Sequence, residues 1–441
     1  MAAPLIKPNT PMPQNSIRRI LSSSVLGEFR YDVDFDRTSH HSGRVVVIYA
    51  ENGMGKTNFL KAVHHLLSPR RESLQALADL FVEEITVHLS DGSSVRLLPS
   101  DDASFLFGCR IENFRLEEAV ELWVRQEDVD ARAFRRSSPR VDVARYLDAL
   151  RTLVSPTVFV GDDRLIYSAT ESRNFIAHST FEIEQDAFRR VGRPTQSVRD
   201  VLDLVEREFT QRALRTVSND DTDSGEGVYF EVTRRVLQGE NRTILASQAR
   251  ESLLAQAEEV LAGAYDFEKY ELLSFSQIRR ITEMIQDSRA NSSHFRSLHG
   301  ILGPYLSSTA DRMNTLAETQ RLIDTFVTSV NSFFERKRLH YTTDAGISLT
   351  GHDGAELEPD NLSSGEKHLL LLLSHAVLAR STGALVVIDE PELSLGLRWQ
   401  RQLLPELLRC TEGSGVQFLV ASHSVQIMGD VDEVVRPTEA L

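Results

Sequence analysis

The run Ala384-Leu385-Val386-Val387-Ile388 is apolar at every position and leads directly into two acids, Asp389 and Glu390. Such a strand fits the inside of a sheet covered by helices on both faces, the setting of parallel α/β architectures. Two carboxylates at its carboxyl end are costly without a cation or a shared proton to offset them. The plain alternative is a strand ending in two solvated acids before a turn at Pro391. Upstream, Leu362-Ser363-Ser364-Gly365-Glu366 is a Ser/Gly/Glu turn that opens a helix of leucines. Such a turn presents N–H and hydroxyl groups to an anion, although Ser364 and Glu366 are also what an ordinary helix cap needs.

Two further motifs bear on those acids. Some three hundred residues earlier stands GRVVVIYAENGMGKTNFLKAVHHLL. Val45 to Tyr49 read as a buried strand and the following residues as a glycine-bearing loop. Thr57 begins an amphipathic helix with Phe59, Leu60, Val63, Leu66 and Leu67 on one side. Strand, loop and helix in that order make a phosphate cradle, because loop N–H groups and the helix amino end face the same anion. Lys56 would reach the outer phosphates and the Thr57 hydroxyl would ligate Mg2+. Ala50 replaces the first glycine of GxxxxGK[ST], while Gly53 and Gly55 keep the backbone freedom nearest the phosphates. In VQFLVASHSVQIM, Phe418 to Ala421 form another buried strand, ending at Ser422 and His423. A lone histidine at a strand end is commonly structural; some thirty residues beyond a pair of acids, it suits a phosphate sensor.

Together these pieces resemble the ABC-type ATPases of the SMC, RecF and OLD group. The expected fold class is therefore α/β: a P-loop ATPase head with a mainly parallel sheet, an antiparallel β lobe and a helical insertion. The resemblance covers roughly the first and last hundred residues. It implies that Asn52, Gly53, Met54, Gly55, Lys56, Thr57 and Asn58 hold ATP, with Thr57 and Asp389 at Mg2+. It implies that Glu390 activates water and His423 senses the outer phosphate. Ser363, Ser364, Gly365 and Glu366 match the signature that binds nucleotide held by a facing subunit, so a head-to-tail homodimer is implied. Ser394 and Leu395 match the segment crossing the dimer seam, where Gly396 departs from the histidine common in relatives. A glutamine is expected after the second core strand, PTVFVGDDRLIY, but Asp162, Asp163 and Arg164 stand there, and Gln126 competes for the role.

Length and charge bound the rest. The 441 residues suffice for two or three domains. The boundaries expected are a loose terminus over 1–16, the first part of the head over 17–125, a mainly helical insertion over 126–335 with a strand near 157–161, and the second part of the head over 336–441. A net charge of −15 argues against one broad basic face for duplex DNA and confines nucleic-acid contact to local patches or an assembled complex. Arg132, Arg135, Arg136 and Arg140, and Arg189, Arg190 and Arg193, form such patches, but acids lie among them and favour a solvated or partner-facing surface. Cys109 and Cys410 are far apart in no metal spacing, as in a reducing cytoplasm. No stretch approaches the ~20 apolar residues of a membrane span.

Hairpins are expected over 17–35 and around Asp91-Gly92. The remainder between about 112 and 335 reads as helical, in amphipathic segments without sustained heptads, so long coiled-coil arms are not expected. The late fragment GDVDEVV, with Asp430 and Asp432, imitates a metal motif but reads as a closing loop and strand. In this compact form the chain is similar to the PtuA and PARIS-type antiphage ATPases. That implies a sensor ATPase with a separate effector such as a nuclease or toxin. A RecF-like repair ATPase and a slow ATP-dependent assembly scaffold are the alternatives.

Overall fold

The computed structural model describes residues 15–37, 44–80, 82–113, 118–129, 140–161, 166–168, 197–221, 245–288, 294–429 and 434–439. Outside them lie residues 1–14 of the segment expected to be a loose terminus, Asp162, Asp163, Arg164, Asp430, Asp432 and all the arginines of the two patches except Arg140. The chain divides into two compact units, Met1–Ser197 with Ser363–Leu441, and Val198–Leu362.

The amino-terminal elements are β1 (Ile17–Val25), β2 (Phe29–Asp34), β3 (Val45–Tyr49), α1 (Lys56–Leu66), α2 (Arg71–Ala78), β4 (Val82–Leu89), β5 (Ser94–Leu98), β6 (Phe107–Glu112), β7 (Val120–Val124), α3 (Gln126–Val129), α4 (Val141–Leu153), β8 (Thr157–Val160) and β9 (Ile166–Ser168). The second unit holds α5 (Val198–Asp221), α6 (Ala246–Ala262), α7 (Ala264–Glu268), α8 (Ser276–Asp287), α9 (His294–Phe333), β10 (Lys337–Thr342) and β11 (Gly346–Gly351). The chain then returns to the first unit with α10 (Ser364–Ala379), β12 (Leu385–Asp389), α11 (Leu397–Cys410), β13 (Gln417–Ser422), α12 (Val425–Met428), β14 (Val434–Val435) and β15 (Thr438–Glu439).

The first unit has the expected α/β class. Its six-stranded sheet runs β14-β3-β13-β12-β8-β9, parallel throughout except for β9 on β8. All five residues of β12 and all six of β13 are buried, which is why these strands read as apolar at almost every position. The seven-stranded sheet β15-β2-β1-β4-β5-β6-β7 is antiparallel. Helix α1 contacts strands of both sheets. Phe59, Leu60, Val63 and Leu66 on it join Val46, Ile48, Val387 and Leu419 of the parallel sheet and Ile20, Val87 and Val95 of the antiparallel one in a single core. Helix α10 contacts β12 and β8 as well as α11. It is buried almost all round, so its leucine run shows little amphipathic period.

The hairpins at β1–β2 and at Asp91-Gly92 form as read; Gly92 takes φ +85° and the Asp91 carboxylate accepts from Ser93 N–H at 2.9 Å. Residues after 112 are not all helical, however. Val120–Val124 is a strand whose buried, exposed and half-buried positions alternate, paired with β6. Five residues are too few to declare their period without the partner strand.

The second unit is helical with one hairpin. Helix α9 runs 40 residues, about 60 Å at 1.5 Å per residue. It passes through Pro304. Proline removes a donor and crowds the preceding turn, but buried Phe295, Pro304 and Leu306 carry the helix through. Its first half packs on α6 and α8 around Leu253, Ala257, Val260, Ile278 and Ile285. Its second half meets α5 and the hairpin, where the Phe209 ring lies edge-on to Phe326 at 5.8 Å and to Tyr341 at 5.2 Å. Strands β10 and β11 pair only with each other among the described residues. They therefore group with this unit, while α4 and β8 group with the first. The compact units divide at 197/198 and 362/363.

Candidate functional site

Strand register brings the three motifs to one edge. Asp389 is level with Ala421, and Ala421 with Ile48. The phosphate loop, the acid pair and His423 therefore all leave the carboxyl ends of adjacent parallel strands, where open α/β sheets place ligands.

The loop from Ala50 to Gly55 joins β3 to α1. Gly53 and Gly55 have φ of +88° and +78°, a region that side chains disfavour. A Cβ at Gly55 would also lie 2.7 Å from the Val25 side chain, so β1 forms the floor of the loop. Tyr31 of β2 fixes it from the same side. Its hydroxyl donates to the Met54 carbonyl at 2.5 Å, and its ring stacks on Phe59 of α1 with centroids 4.4 Å apart. Asn52 and Gly53 are exposed, and Asn58 lies half-buried on the first turn of α1. The helix begins at Lys56 rather than Thr57, which puts the lysine N–H among the free donors of the helix amino end.

Lys56 is 5% exposed. Its ammonium donates to the Ala50 carbonyl at 2.5 Å and lies 3.2 Å from Glu390 Oε1. Thr57 Oγ1 donates to Asp389 Oδ2 at 2.6 Å. Hydroxyl and buried carboxylate together form a hard oxygen donor set, and the residues present fit Mg2+.

Glu390 adopts φ +49°, uncommon outside glycine, and its N–H donates to the Ala421 carbonyl at 2.9 Å. The strained turn carries its side chain back over β13. There His423 Nδ1 meets Glu390 Oε2 at 2.5 Å. A third carboxylate, Glu392, is 6% exposed, and its Oε1 lies 3.2 Å from the same ring nitrogen. Burial and then the nearby Glu390 raise the Glu392 pKa against its hydrogen bond from Ser422. Burial acts upward on Glu390 too, but Glu392, the Lys56 charge and His423 outweigh it and hold Glu390 below the ordinary glutamate range. Glu390 is thus the more acidic member of the pair.

Ser363 caps α10. Its hydroxyl accepts from Glu366 N–H at 3.4 Å, and the Glu366 carboxylate accepts from Ser363 N–H at 2.7 Å, a reciprocal capping box. Ser363 and Ser364 remain exposed. Gly365 is buried, and a Cβ there would lie 2.5 Å from the Ser394 carbonyl. The signature turn therefore rests directly on the backbone that follows the acid pair.

Residues 45–429 match a family model described as "AAA domain, putative AbiEii toxin, Type IV TA system". The match spans most of the chain. The chain belongs to this family. No curated protein matches it. Among solved structures it is similar to an Smc head domain with an extended coiled coil, bound to the C-terminal domain of ScpA, from Pyrococcus furiosus: 12% identity, 97% of this chain and 96% of that one, TM-score 0.39. An Smc head domain with a coiled coil and joint from Pyrococcus yayanosii matches at 11% identity, 97% of each chain and TM-score 0.38. At such scores these likenesses carry no argument.

Within this AAA-domain chain, Lys56, Thr57, Asp389, Glu390 and His423 are brought together. The signature residues stand apart on the amino end of α10. Gln126 is exposed and opens α3 after the antiparallel sheet rather than at the edge of the parallel one. Arg140 is bound to Asp128 at 2.9 Å and to Asp142. The sequence reading missed Tyr31 and Glu392. The signal for Glu392 was an acid within the otherwise apolar run Pro391-Glu392-Leu393; nothing local marks Tyr31. Among the described residues no helix is long and apolar enough to cross a membrane.

Proposed function

We propose that this AAA-domain chain binds ATP with Mg2+ and hydrolyses it at the edge formed by β3, β12 and β13. The observation that carries the reading is the meeting of Thr57 with Asp389 and of Lys56 with Glu390, across elements more than three hundred residues apart in sequence, with His423 joining Glu390 from 33 residues further on. Substrate phosphates are held by the loop N–H groups of Asn52 to Lys56, by the α1 amino end and by the Lys56 ammonium. Thr57 and Asp389 would hold Mg2+, which would supply positive charge against the phosphates. Glu390, kept anionic, takes the proton of the attacking water, and His423, hydrogen-bonded to it, fixes its orientation and faces the outer phosphate.

The exposed Ser363 and Ser364 on the α10 amino end suit nucleotide held by a second copy of the chain, so the working unit is a head-to-tail homodimer. The description of the family, which names an AbiEii toxin and a Type IV TA system, supports a further step. The ATPase serves as the sensor or regulatory component of a bacterial antiphage defence system, acting in the cytoplasm on a separate effector such as a nuclease or toxin.

Steady-state hydrolysis, calorimetric ATP binding and light scattering test the reading. Glu390→Gln is expected to lower turnover at least about 100-fold while retaining ATP and accumulating as a dimer. Lys56→Ala is expected to weaken ATP binding about 10- to 100-fold, the worth of a charge-assisted contact. Wild-type turnover in Glu390→Gln would sink the assignment. Co-purification with Glu390→Gln as bait tests the defence role; recovery of DNA and repair proteins instead would move it to repair.

A further inference from the structure

The hydrolysis proposed above uses Glu390 and His423 but leaves Glu392 without a task. We propose that Glu392 is a positioning residue, which holds the loop at 422–424 so that the His423 imidazole meets Glu390. The kinetic part of its test rests on the hydrolysis reading.

Glu392 Oε1 accepts three hydrogen bonds from consecutive residues of that loop: Ser422 Oγ at 2.6 Å, His423 N–H at 2.8 Å and Ser424 N–H at 3.0 Å. Its side chain is 4% exposed. Burying a carboxylate costs several kcal/mol unless strong donors compensate, and three converging donors do so. β13 ends at Ser422, so His423 and Ser424 have left the ladder and need another acceptor for their N–H groups. Glu392 provides it.

Packing does not hold His423, since its side chain is 52% exposed. Its direction is set by its backbone and by the contacts of Nδ1, to Glu390 at 2.5 Å and to Glu392 itself at 3.2 Å. Gln400 of α11 adds a second tie, donating to the Leu395 carbonyl at 2.8 Å and accepting from Ser424 Oγ at 2.7 Å. That tie stops at Ser424 and leaves the orientation of residue 423 to Glu392. Glu392 does not take over the role of Glu390, because one of its oxygens is filled by loop donors and its side chain is more deeply enclosed, 4% against 14%.

Glu392→Ala removes the acceptor, whereas Glu392→Gln keeps an oxygen for the three donors. The alanine variant is expected to lose about 10- to 100-fold in kcat with KM for ATP within about twofold, a loss confined to the chemical step. The glutamine variant is expected to stay within about fivefold of wild type, since its amide oxygen still accepts. On a His423→Ala background, Glu392→Ala should cost less than about twofold more, because the two act as one unit. Additive losses, a loss in KM instead of kcat, or a glutamine variant as poor as alanine would each overturn the proposal. Should Glu392→Ala not fold, Ser422→Ala removes one donor and should give a smaller kcat loss that vanishes on the His423→Ala background; a loss that persists there overturns it. If the wild-type chain hydrolyses no ATP, the functional reading fails, and imidazole resonances of isotopically labelled histidine decide the positioning claim. The His423 signal should move toward that of free histidine in Glu392→Ala, or in Ser422→Ala if that alone folds, and stay in place in Glu392→Gln. An unmoved signal in the donor- or acceptor-deleted variant overturns it.

Discussion

The two units of this chain solve opposite problems. The first buries chemistry: Lys56, Asp389, Glu392, His64 and His375 are all nearly inaccessible within it. The second buries mostly carbon and rings along α9, and its polar contacts lie nearer the surface, as where Lys269 and Tyr270 share Asp324 at 2.7 and 2.8 Å. A buried charge must have particular partners at particular distances, whereas an apolar core asks only for the right volume and pattern. The first unit should therefore be sensitive to hydrogen-bond geometry and protonation, and the second to volume.

The largest effect expected follows from volume. Phe326 is fully buried between α9 and α5, and Phe326→Ala should destabilise the second unit by about 3–5 kcal/mol. Hydrogen exchange of α5 and α9 amides reads this, and turnover per folded molecule should stay within about twofold. A cost below about 1 kcal/mol would mean that the second unit is not held by this core, which would break the contrast.

The same contrast explains what was legible in the sequence. The phosphate loop, the acid pair and the three strands behind them could be read because a both-faces-buried strand and a left-handed glycine each permit few residues. Gly53 and Gly55 sit where φ is positive, and β12 is buried at every position. Helix α9 could not be bounded from sequence, because what carries it past Pro304 is tertiary packing around Phe295 and Leu306. Strand β7 was missed because its five residues acquire a period only against β6. Glu392 escaped for a related reason: its three donors lie about thirty residues ahead in sequence, and only the parallel pairing of β12 with β13 brings them to it.

Protonation sharpens the comparison next. His375 of α10 is fully enclosed, and burial lowers its pKa to about 4 from an unfolded value of 6.5. His64 and His65 on α1 are pushed down by the same cause. The unfolded chain therefore takes up protons first as pH falls. The contribution of His375 to stability is complete above about pH 6.5 and drains away between 6.5 and 4, amounting to roughly 3 kcal/mol at most. His375→Leu should flatten that acid limb in urea unfolding compared at pH 7 and 4.5. Parallel stability curves for the variant and the wild type would remove burial of neutral histidine from the account of the first unit.

The smallest effects come from two glycines that differ in what faces them. At Gly365 an added methyl group meets the Ser394 backbone carbonyl at 2.5 Å; at Gly263, between α6 and α7, it meets the tip of the Met313 side chain at 2.9 Å. A carbonyl in the turn that also carries Glu392 cannot yield without dragging the 422–424 loop with it, whereas a methionine tip swings aside at little cost. Gly365→Ala should therefore cost about 1–3 kcal/mol, the usual range for overpacking, and reduce ATP turnover as well. Gly263 already has φ of −95°, which alanine tolerates, so Gly263→Ala should fall within about 0.5 kcal/mol of wild type. Equal costs at the two sites would show that the first unit yields as readily as the second. The case for its geometry being set by fixed backbone around the acid pair would then be lost.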